Sequence, residues 1–179
     1  MKTKTLIALL LCFSLTGCDK IKDAASITVP THLQCSIPVI VTGIGMKSVD
    51  LSESVSAVSF SQTQDLSLAA NTDISPYLSK INEINMSSVV VQISGLGAGQ
   101  TINTLTLEVT GVGTVFTQTN ITAANSSFTP VVSTSILSQM GAKLKADKKI
   151  TFTVSGTASG SMTFTVGLNI DAKVVVFTI

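Results

Sequence analysis

The sequence predicts an all-β protein: an antiparallel β-sandwich, immunoglobulin-like or jelly-roll-like, with two short helices. Composition is the first observation behind this prediction. The chain contains 23 Ser and 24 Thr among many Val and Ile, and β-branched residues favour strands. The second observation is strict alternation of apolar and polar residues, typical of half-buried strands, in four segments: 33–42, 104–109, 150–155 and 162–171.

Weaker signals predict further strands. The segment 86–94 alternates less, which indicates a strand covered more fully, and 114–118 is a shorter strand candidate. In 55–60 the apolar phase changes between Ala57 and Val58, and a bulge would absorb the slip.

Two predictions concern the C-terminal part of the sheet. The link Gly156–Gly160 has the composition of a hairpin turn between its two neighbouring strands. The run 173–179 is predicted to extend the final hairpin into the sheet, because nothing polar follows it, with docking elsewhere as the alternative.

Helix signals interrupt the β pattern twice. Ser75–Pro76 supplies an N-cap and a first-turn proline for a short helix, and Thr129–Pro130 does the same for a longer one. Lysines near the end of the longer helix complement its dipole; we interpret them as a solvated helix end, with contact to anionic lipid headgroups as the alternative. The longer helix carries an apolar stripe made of Val132, Ile136, Leu137, Met140 and Leu144.

The charge balance excludes one class of partner. Charged residues make up 12% of the chain, which has 11 lysines, 10 acids and no arginine. Binding to nucleic acid needs clustered Lys and Arg that neutralise phosphates, so we predict no nucleic-acid partner.

The N-terminus has the layout of a secretory signal. Met1–Thr5 contains two lysines and no acid, Leu6–Leu15 is apolar except for Ser14, and small residues precede Cys18. The apolar block is too short to span a bilayer comfortably, so it predicts export.

The residues Leu15-Thr16-Gly17-Cys18 resemble the lipobox of bacterial lipoproteins. The resemblance implies a diacylglyceryl thioether on Cys18, cleavage just before it, and acylation of the new amino terminus. A cysteine suits this chemistry because a thiolate attacks a lipid donor readily at neutral pH. The alternative is an ordinary secretory signal cut elsewhere, which would leave Cys18 as a plain thiol.

These features divide the chain into three predicted parts: the signal peptide 1–17, a lipidated tether 18–24, and a single β-sandwich domain 25–179. The predicted location is the bacterial cell envelope, with the lipid anchor in the outer membrane or at the cell surface. Asp19 also resembles the inner-membrane retention signal of enteric bacteria, so the choice of membrane stays open.

The cysteine count predicts no disulfide. Cys12 leaves with the signal and Cys18 carries lipid, so Cys35 has no partner in the mature chain. Its strand phase puts Cys35 on the apolar face as a small hydrophobe, and Pro38 predicts an edge strand or a bulged one. The functional alternative for Cys35, a reactive thiol or an intermolecular disulfide, needs a positive or exposed setting.

Catalytic patterns are weak. His32 is the only histidine and lies in the opposite strand phase to Cys35, which disfavours a Cys–His pair; a Ser-His-Asp assembly would have to use this same histidine. Zinc and calcium patterns are lacking, although proximity of Asp50 and Glu53 in the fold stays open. We predict no enzyme and no catalytic, cofactor-binding or metal-binding residues, so Cys18 is the one predicted site residue.

The predicted function is a non-catalytic binding or assembly module of the envelope, with the membrane and an unidentified protein or apolar ligand as partners. One alternative is a carrier that encloses a lipid, and another is a pilus-like subunit that assembles by exchange of its C-terminal strand. Sugar binding has little support in the sequence, because Trp is absent and Tyr77 is the one tyrosine available to stack on a sugar ring.

Overall fold

The computed structural model describes residues 26–43 and 57–178, whose strands form two antiparallel four-stranded sheets packed face to face. The predicted all-β sandwich is confirmed. In spatial order, sheet I contains β1 (Ser26–Val41), β8 (Met162–Phe177), β3 (Ile81–Ser94) and β6 (Ser127–Phe128). Sheet II contains β2 (Val58–Ser67), β7 (Lys149–Ala158), β4 (Ile102–Val109) and β5 (Gly113–Ile121).

The strand order is that of a jelly roll. Strands pair from the two ends of the domain inwards: β1 with β8, β2 with β7, β3 with β6, and β4 with β5. This pattern arises when one long antiparallel hairpin winds into two sheets, and it differs from the immunoglobulin order. Of the two sandwich types that the sequence predicts, the jelly roll is the one observed.

Alternation along the strands determines which side chains form the core. In β1 the odd-numbered residues from Thr31 to Val41 are buried, while the even-numbered residues between them are exposed. In β8 the even-numbered residues face the core along the whole strand. The ring of Phe60 in sheet II meets that of Phe164 in sheet I edge to face, with centroids 5.4 Å apart, so an aromatic contact joins the two layers.

The link between β7 and β8 is not the predicted hairpin. β7 lies in sheet II and β8 in sheet I, so the chain crosses between the sheets at 159–161. The Ser159 N–H donates to the Thr101 carbonyl at 2.9 Å, which ties this crossing to the neighbouring connection between β3 and β4. A strand buries one face whether the next strand of the chain lies in the same sheet or in the facing sheet. The alternation of apolar and polar residues is therefore the same for a hairpin and for a crossing between sheets.

β2 and β3 are strands that weaker sequence signals predict. β2 begins at Val58 and pairs with β7 as far as Ser67 without a register shift. The predicted bulge lies just before this start, and residues 44–56 are outside the described residues, so it stays a prediction. β3 is not covered on both faces. Its alternation is irregular because a bulge shifts its pairing with β8 between Met86 and Ser88. The C-terminal run extends β8 to Phe177, as predicted.

The first predicted helix is a short 3₁₀ helix, Ser75–Lys80. Ser75 is not its cap. The side-chain oxygen of Asn71 accepts hydrogen bonds from the backbone N–H groups of Asp73 and Ile74, at 3.0 and 3.2 Å, and so organises the turn that enters the helix.

The second predicted helix, α1, is Thr134–Asp147 and begins later than the sequence indicates. Its cap is Ser133, whose hydroxyl accepts from the Ile136 N–H at 3.3 Å, and not Thr129. Helix α1 packs against β3. Its Gly141 lies so close to the Ile84 carbonyl oxygen that a Cβ on residue 141 would overlap this oxygen. Among the described residues, no helix has both the length and the apolar character needed to cross a membrane.

Candidate functional site

Polar side chains cover the outer face of sheet I in three rows that cross β1, β8 and β3. Cross-strand pairing defines the rows, and strand geometry separates neighbouring rows by about 7 Å and neighbouring strands by about 5 Å. We name this surface the β1–β8–β3 face. Its rows are His32, Asp171 and Ser88; Gln34, Asn169 and Val90; and Ser36, Gly167 and Gln92.

The row nearest Ser26 is a hydrogen-bonded cluster around Asp171. His32 Nδ1 lies 2.6 Å from one carboxylate oxygen of Asp171, and the Ser88 hydroxyl donates to the other at 2.7 Å. The Ser87 hydroxyl donates to the Asp171 backbone carbonyl at 3.2 Å. Two serines reach one residue of β8 because the β3 bulge sets two residues against one at this point.

The electrostatics of this cluster keep Asp171 ionised. The hydrogen bond from Ser88, and next the one from His32, lower the pKa of the Asp171 carboxyl below its ordinary value. An ionised carboxylate only accepts hydrogen bonds, so the imidazole carries its proton on Nδ1.

The order of the three groups matters for their chemistry. Nucleophilic catalysis by serine requires the imidazole between the hydroxyl and the carboxylate, so that the imidazole takes the hydroxyl proton. Here Asp171 stands between His32 and Ser88. A carboxylate of lowered pKa is a weak base, so the arrangement links the three strands β1, β8 and β3 and does not activate Ser88.

An open groove of about 510 Å³ lies over the other two rows. Gly167 forms its floor because it has no side chain, and Gln34, Ser36, Gln92 and Asn169 surround it. The three side-chain amides have no hydrogen-bond partner among the described residues. They are available to a ligand.

A second groove, of about 310 Å³, lies where the edges of β1 and β2 meet, and Gln34 also lines it. Asp65 at its wall accepts hydrogen bonds from Thr151 at 2.5 Å and from Lys149 at 3.0 Å, which lower the pKa of the Asp65 carboxyl. The Asn71 amide donates to the His32 carbonyl at 3.4 Å and thereby covers part of the free edge of β1.

The predictions for β1 are confirmed. Cys35 is buried, and His32 lies on the opposite face of the strand. Burial, and next the negative charge of Asp65, raises the pKa of the Cys35 thiol to about 11, so the thiol is protonated and inert at neutral pH. Pro38 lies in an edge strand.

Two of the sequence predictions concern residues that the structure does not describe. Cys18, Asp50 and Glu53 lie outside the described residues. Within residues 26–43 and 57–178, no three His, Cys, Asp or Glu side chains come together as a metal site would require.

Sequence reasoning did not find the partners of His32. Asp171, which contacts His32, is 139 residues away in the chain. The groove amides of Gln92 and Asn169 belong to β3 and β8, and not to the strand of His32. Alternation does place Gln34 and Ser36 on the outer face of β1, but it says nothing about which strand lies beside them.

Comparison of the chain with protein-family models, with curated proteins and with solved structures finds no match. Function is therefore argued from the chemistry of these surfaces and from the N-terminal motif.

Proposed function

We propose that this chain is a non-catalytic lipoprotein of the bacterial cell envelope, in which lipid on Cys18 anchors a β-sandwich that acts as a binding or assembly module. One observation carries the proposal: only seven residues, 19–25, separate the motif Leu15–Cys18 from the first strand, which begins at Ser26. Seven extended residues reach at most about 25 Å. A lipid on Cys18 would hold the Ser26 end of the sandwich close to the membrane.

The distribution of charge supports this orientation. Strand pairing puts Ser26, Phe177, Ile81 and the β2–β3 connection at one end of the sandwich, and the β7–β8 crossing at the other. All charged side chains of the described residues lie in the half nearer Ser26: Asp65, Asp73, Lys80, Glu83, Glu108, Lys143, Lys145, Asp147, Lys148, Lys149, Asp171 and Lys173. The charged half would face the headgroups, and the uncharged half would face outwards to a partner.

The site geometry favours binding over catalysis. Ser88 has a carboxylate of lowered pKa beside it and no imidazole, and the buried Cys35 thiol is protonated. The two grooves that involve β1 are open to solvent and carry amides and hydroxyls, with His32 and Asp65 also lining the groove between β1 and β2, which suits reversible recognition.

The two alternatives gain no support from the structure. A carrier needs internal space for its ligand, whereas the facing side chains of both sheets, such as Phe152, Phe164 and Ile37, pack into one buried cluster. Polymerisation by the C-terminal strand needs that strand to leave its own domain. β8 is paired along both edges, with β1 and β3, so its release would open sheet I.

The anchor is tested by replacing Cys18 with Ala. The parent chain is expected in the membrane fraction and takes up labelled fatty acid, because acyl chains of the lipid bury many methylene groups. Cys18→Ala is expected in the soluble fraction without label. Cys12→Ala is the matched control, since it removes a cysteine from the predicted signal, and it behaves as the parent.

Two outcomes would contradict the proposal. A Cys18→Ala chain that stays with membranes has another means of attachment. A parent chain that takes up no fatty acid is not a lipoprotein, whatever its location.

A further inference from the structure

The groove on the β1–β8–β3 face carries hydrogen-bonding groups that no described neighbour uses. The side-chain amides of Gln34, Gln92 and Asn169 surround the floor at Gly167, and none of them has a partner among the described residues. Each amide offers two N–H donors and a carbonyl acceptor. Several donors and acceptors therefore converge on the space of one ligand.

The charge of this face selects against ionic ligands. His32 and Asp171 contact each other at one end, and the other positions of the three rows are uncharged. Lys173 lies one row beyond Asp171, on the side away from the groove. Recognition of a phosphate or carboxylate needs a cationic partner in the groove, so a neutral ligand fits this surface better.

We propose that this groove binds a neutral glycan chain, which names the ligand class of the binding module proposed above and rests on that proposal. Sugar hydroxyls both donate and accept hydrogen bonds, as do the amides and the Ser36 hydroxyl. Val90 lies opposite Asn169, beside the groove, and is half-buried, so it would offer an aliphatic surface to the apolar side of a sugar ring that extends there. The two rows of the groove lie about 7 Å apart and cross three strands that together span about 10 Å, which suits a stretch of chain better than a single ring.

An extended peptide is the competing ligand, and the edge of the sheet disfavours it. Peptides join a sheet by adding a strand to a free edge. In β1 the His32 carbonyl points to the free edge, since it accepts from the Asn71 amide. Even-numbered residues alternate to the same side, so Pro30 and Pro38 remove donors from this edge.

Binding is tested by titrating neutral sugars into the intact chain, purified in detergent and isotope-labelled for NMR. Cellotetraose, maltotetraose and chitotetraose are the probes. At least one is expected to shift the side-chain amide signals of Gln34, Gln92 and Asn169. Without an aromatic platform the dissociation constant is expected on the order of 1 mM, because only hydrogen bonds and one aliphatic contact contribute.

Variants locate the site. Gln92→Ala and Asn169→Ala are each expected to weaken binding about fivefold, the effect of one lost hydrogen bond. Gln64→Ala is the matched control, because Gln64 is an exposed glutamine of edge strand β2 and does not line the groove. It leaves the affinity unchanged.

Three results would overturn the inference: no shift of these amides with any of the sugars, equal affinity in Asn169→Ala and the parent, or shifts caused by a neutral decapeptide and not by the sugars. The Cys18→Ala fractionation separates this from the proposed function. If no sugar binds but Cys18→Ala loses its membrane attachment, the chain is a lipoprotein with another ligand. If Cys18→Ala stays with membranes, the lipid anchor is contradicted, and the inference about the groove is unaffected.

Discussion

The outer faces of the two sheets differ although both follow the same alternation. Sheet II presents a regular grid of hydroxyls, with the rows Ser59, Thr157, Thr104 and Thr119, and Ser61, Ser155, Thr106 and Thr117. Sheet I presents amides, a His–Asp contact and a glycine floor. Short hydroxyl side chains, most of them β-branched threonines, make an even surface, while long amides around a glycine leave a depression with adaptable donors. The difference is the reason that we propose a ligand for sheet I and none for sheet II.

Two glycines, one in each sheet, sharpen this contrast. Gly156 in β7 faces inwards, where a Cβ would overlap the Thr104 carbonyl oxygen and touch the Phe60 ring. Gly167 in β8 faces outwards, and a Cβ there would lie 3.3 Å from the Gln92 carbonyl oxygen, a tight contact that needs a shift of a few tenths of an ångström. Packing therefore excludes a side chain much more strongly at position 156 than at position 167.

The largest expected effect is that of Gly156→Ala. The added methyl has no space between the backbone of β4 and the ring of Phe60, so the free energy of unfolding falls by about 3 kcal/mol. Gly167→Ala, the matched change on the outer face, alters it by less than about 1 kcal/mol. Chemical denaturation of the intact chain in detergent measures both.

The comparison of the two glycines fails if the two variants lose similar stability. In that case Gly167 is a packing residue, and the groove over it needs no functional explanation. Should Gly156→Ala not accumulate as folded protein, Gly156→Ser, which adds a larger side chain, is expected to fail as well, while Gly167→Ser folds.

A smaller effect is expected from the two outward carboxylates, one on each sheet. The pKa of Asp65 and that of Asp171 are lowered in the folded chain, so the unfolded chain binds more protons as the pH falls. Their contribution to stability is complete above the ordinary pKa of 3.8 and is lost as the pH falls through the folded value. Asp65→Asn and Asp171→Asn should each make unfolding less dependent on pH below about 4.

Unfolding curves recorded between neutral and acidic pH test this. Both side chains are about half exposed, at 44% and 47%, so each effect should be smaller than that of Gly156→Ala. Glu83→Gln removes one negative charge from an exposed position of β3 and serves as the control. An acid dependence that is identical in Asp171→Asn and the parent would show that Ser88 and His32 do not stabilise the carboxylate.

The sequence predicted the strands whose two faces differ and missed what depends on partners far along the chain. β1, β4, β7 and β8 alternate because one face of each is buried, and that alternation is visible locally. The stretch 61–65 of β2 is exposed on both faces at the sheet edge, so it carries no pattern to read. Tertiary packing decides which sheet a strand joins. The hairpin predicted at 156–160 was wrong because β7 and β8 join different sheets.

The candidate site was less predictable than the fold. His32, Ser88 and Asp171 meet only because β8 lies between β1 and β3, and only the β3 bulge brings Ser88 to the carboxylate. Phase alone correctly separated His32 from Cys35, since two residues three apart in one strand face opposite sides. The sequence shows which residues of one strand share a face, whereas contacts between strands depend on the register of their pairing.

The smallest expected effect tests whether the hydroxyl grid of sheet II is more than a solvated surface. Thr106 and Thr117 lie opposite each other with their hydroxyls 3.1 Å apart, while Thr104 and Thr119 in the next row share no hydrogen bond. A double-mutant cycle to Ala at the first pair should give a coupling of about 0.5 kcal/mol, and the second pair should give less. Equal coupling in both rows would mean that methyl packing, and not hydrogen bonding, joins these strands. Either result changes the stability by only a few tenths of a kcal/mol. The strands of sheet II are therefore held mainly by their backbone hydrogen bonds, and their outer face is a hydroxyl surface exposed to water.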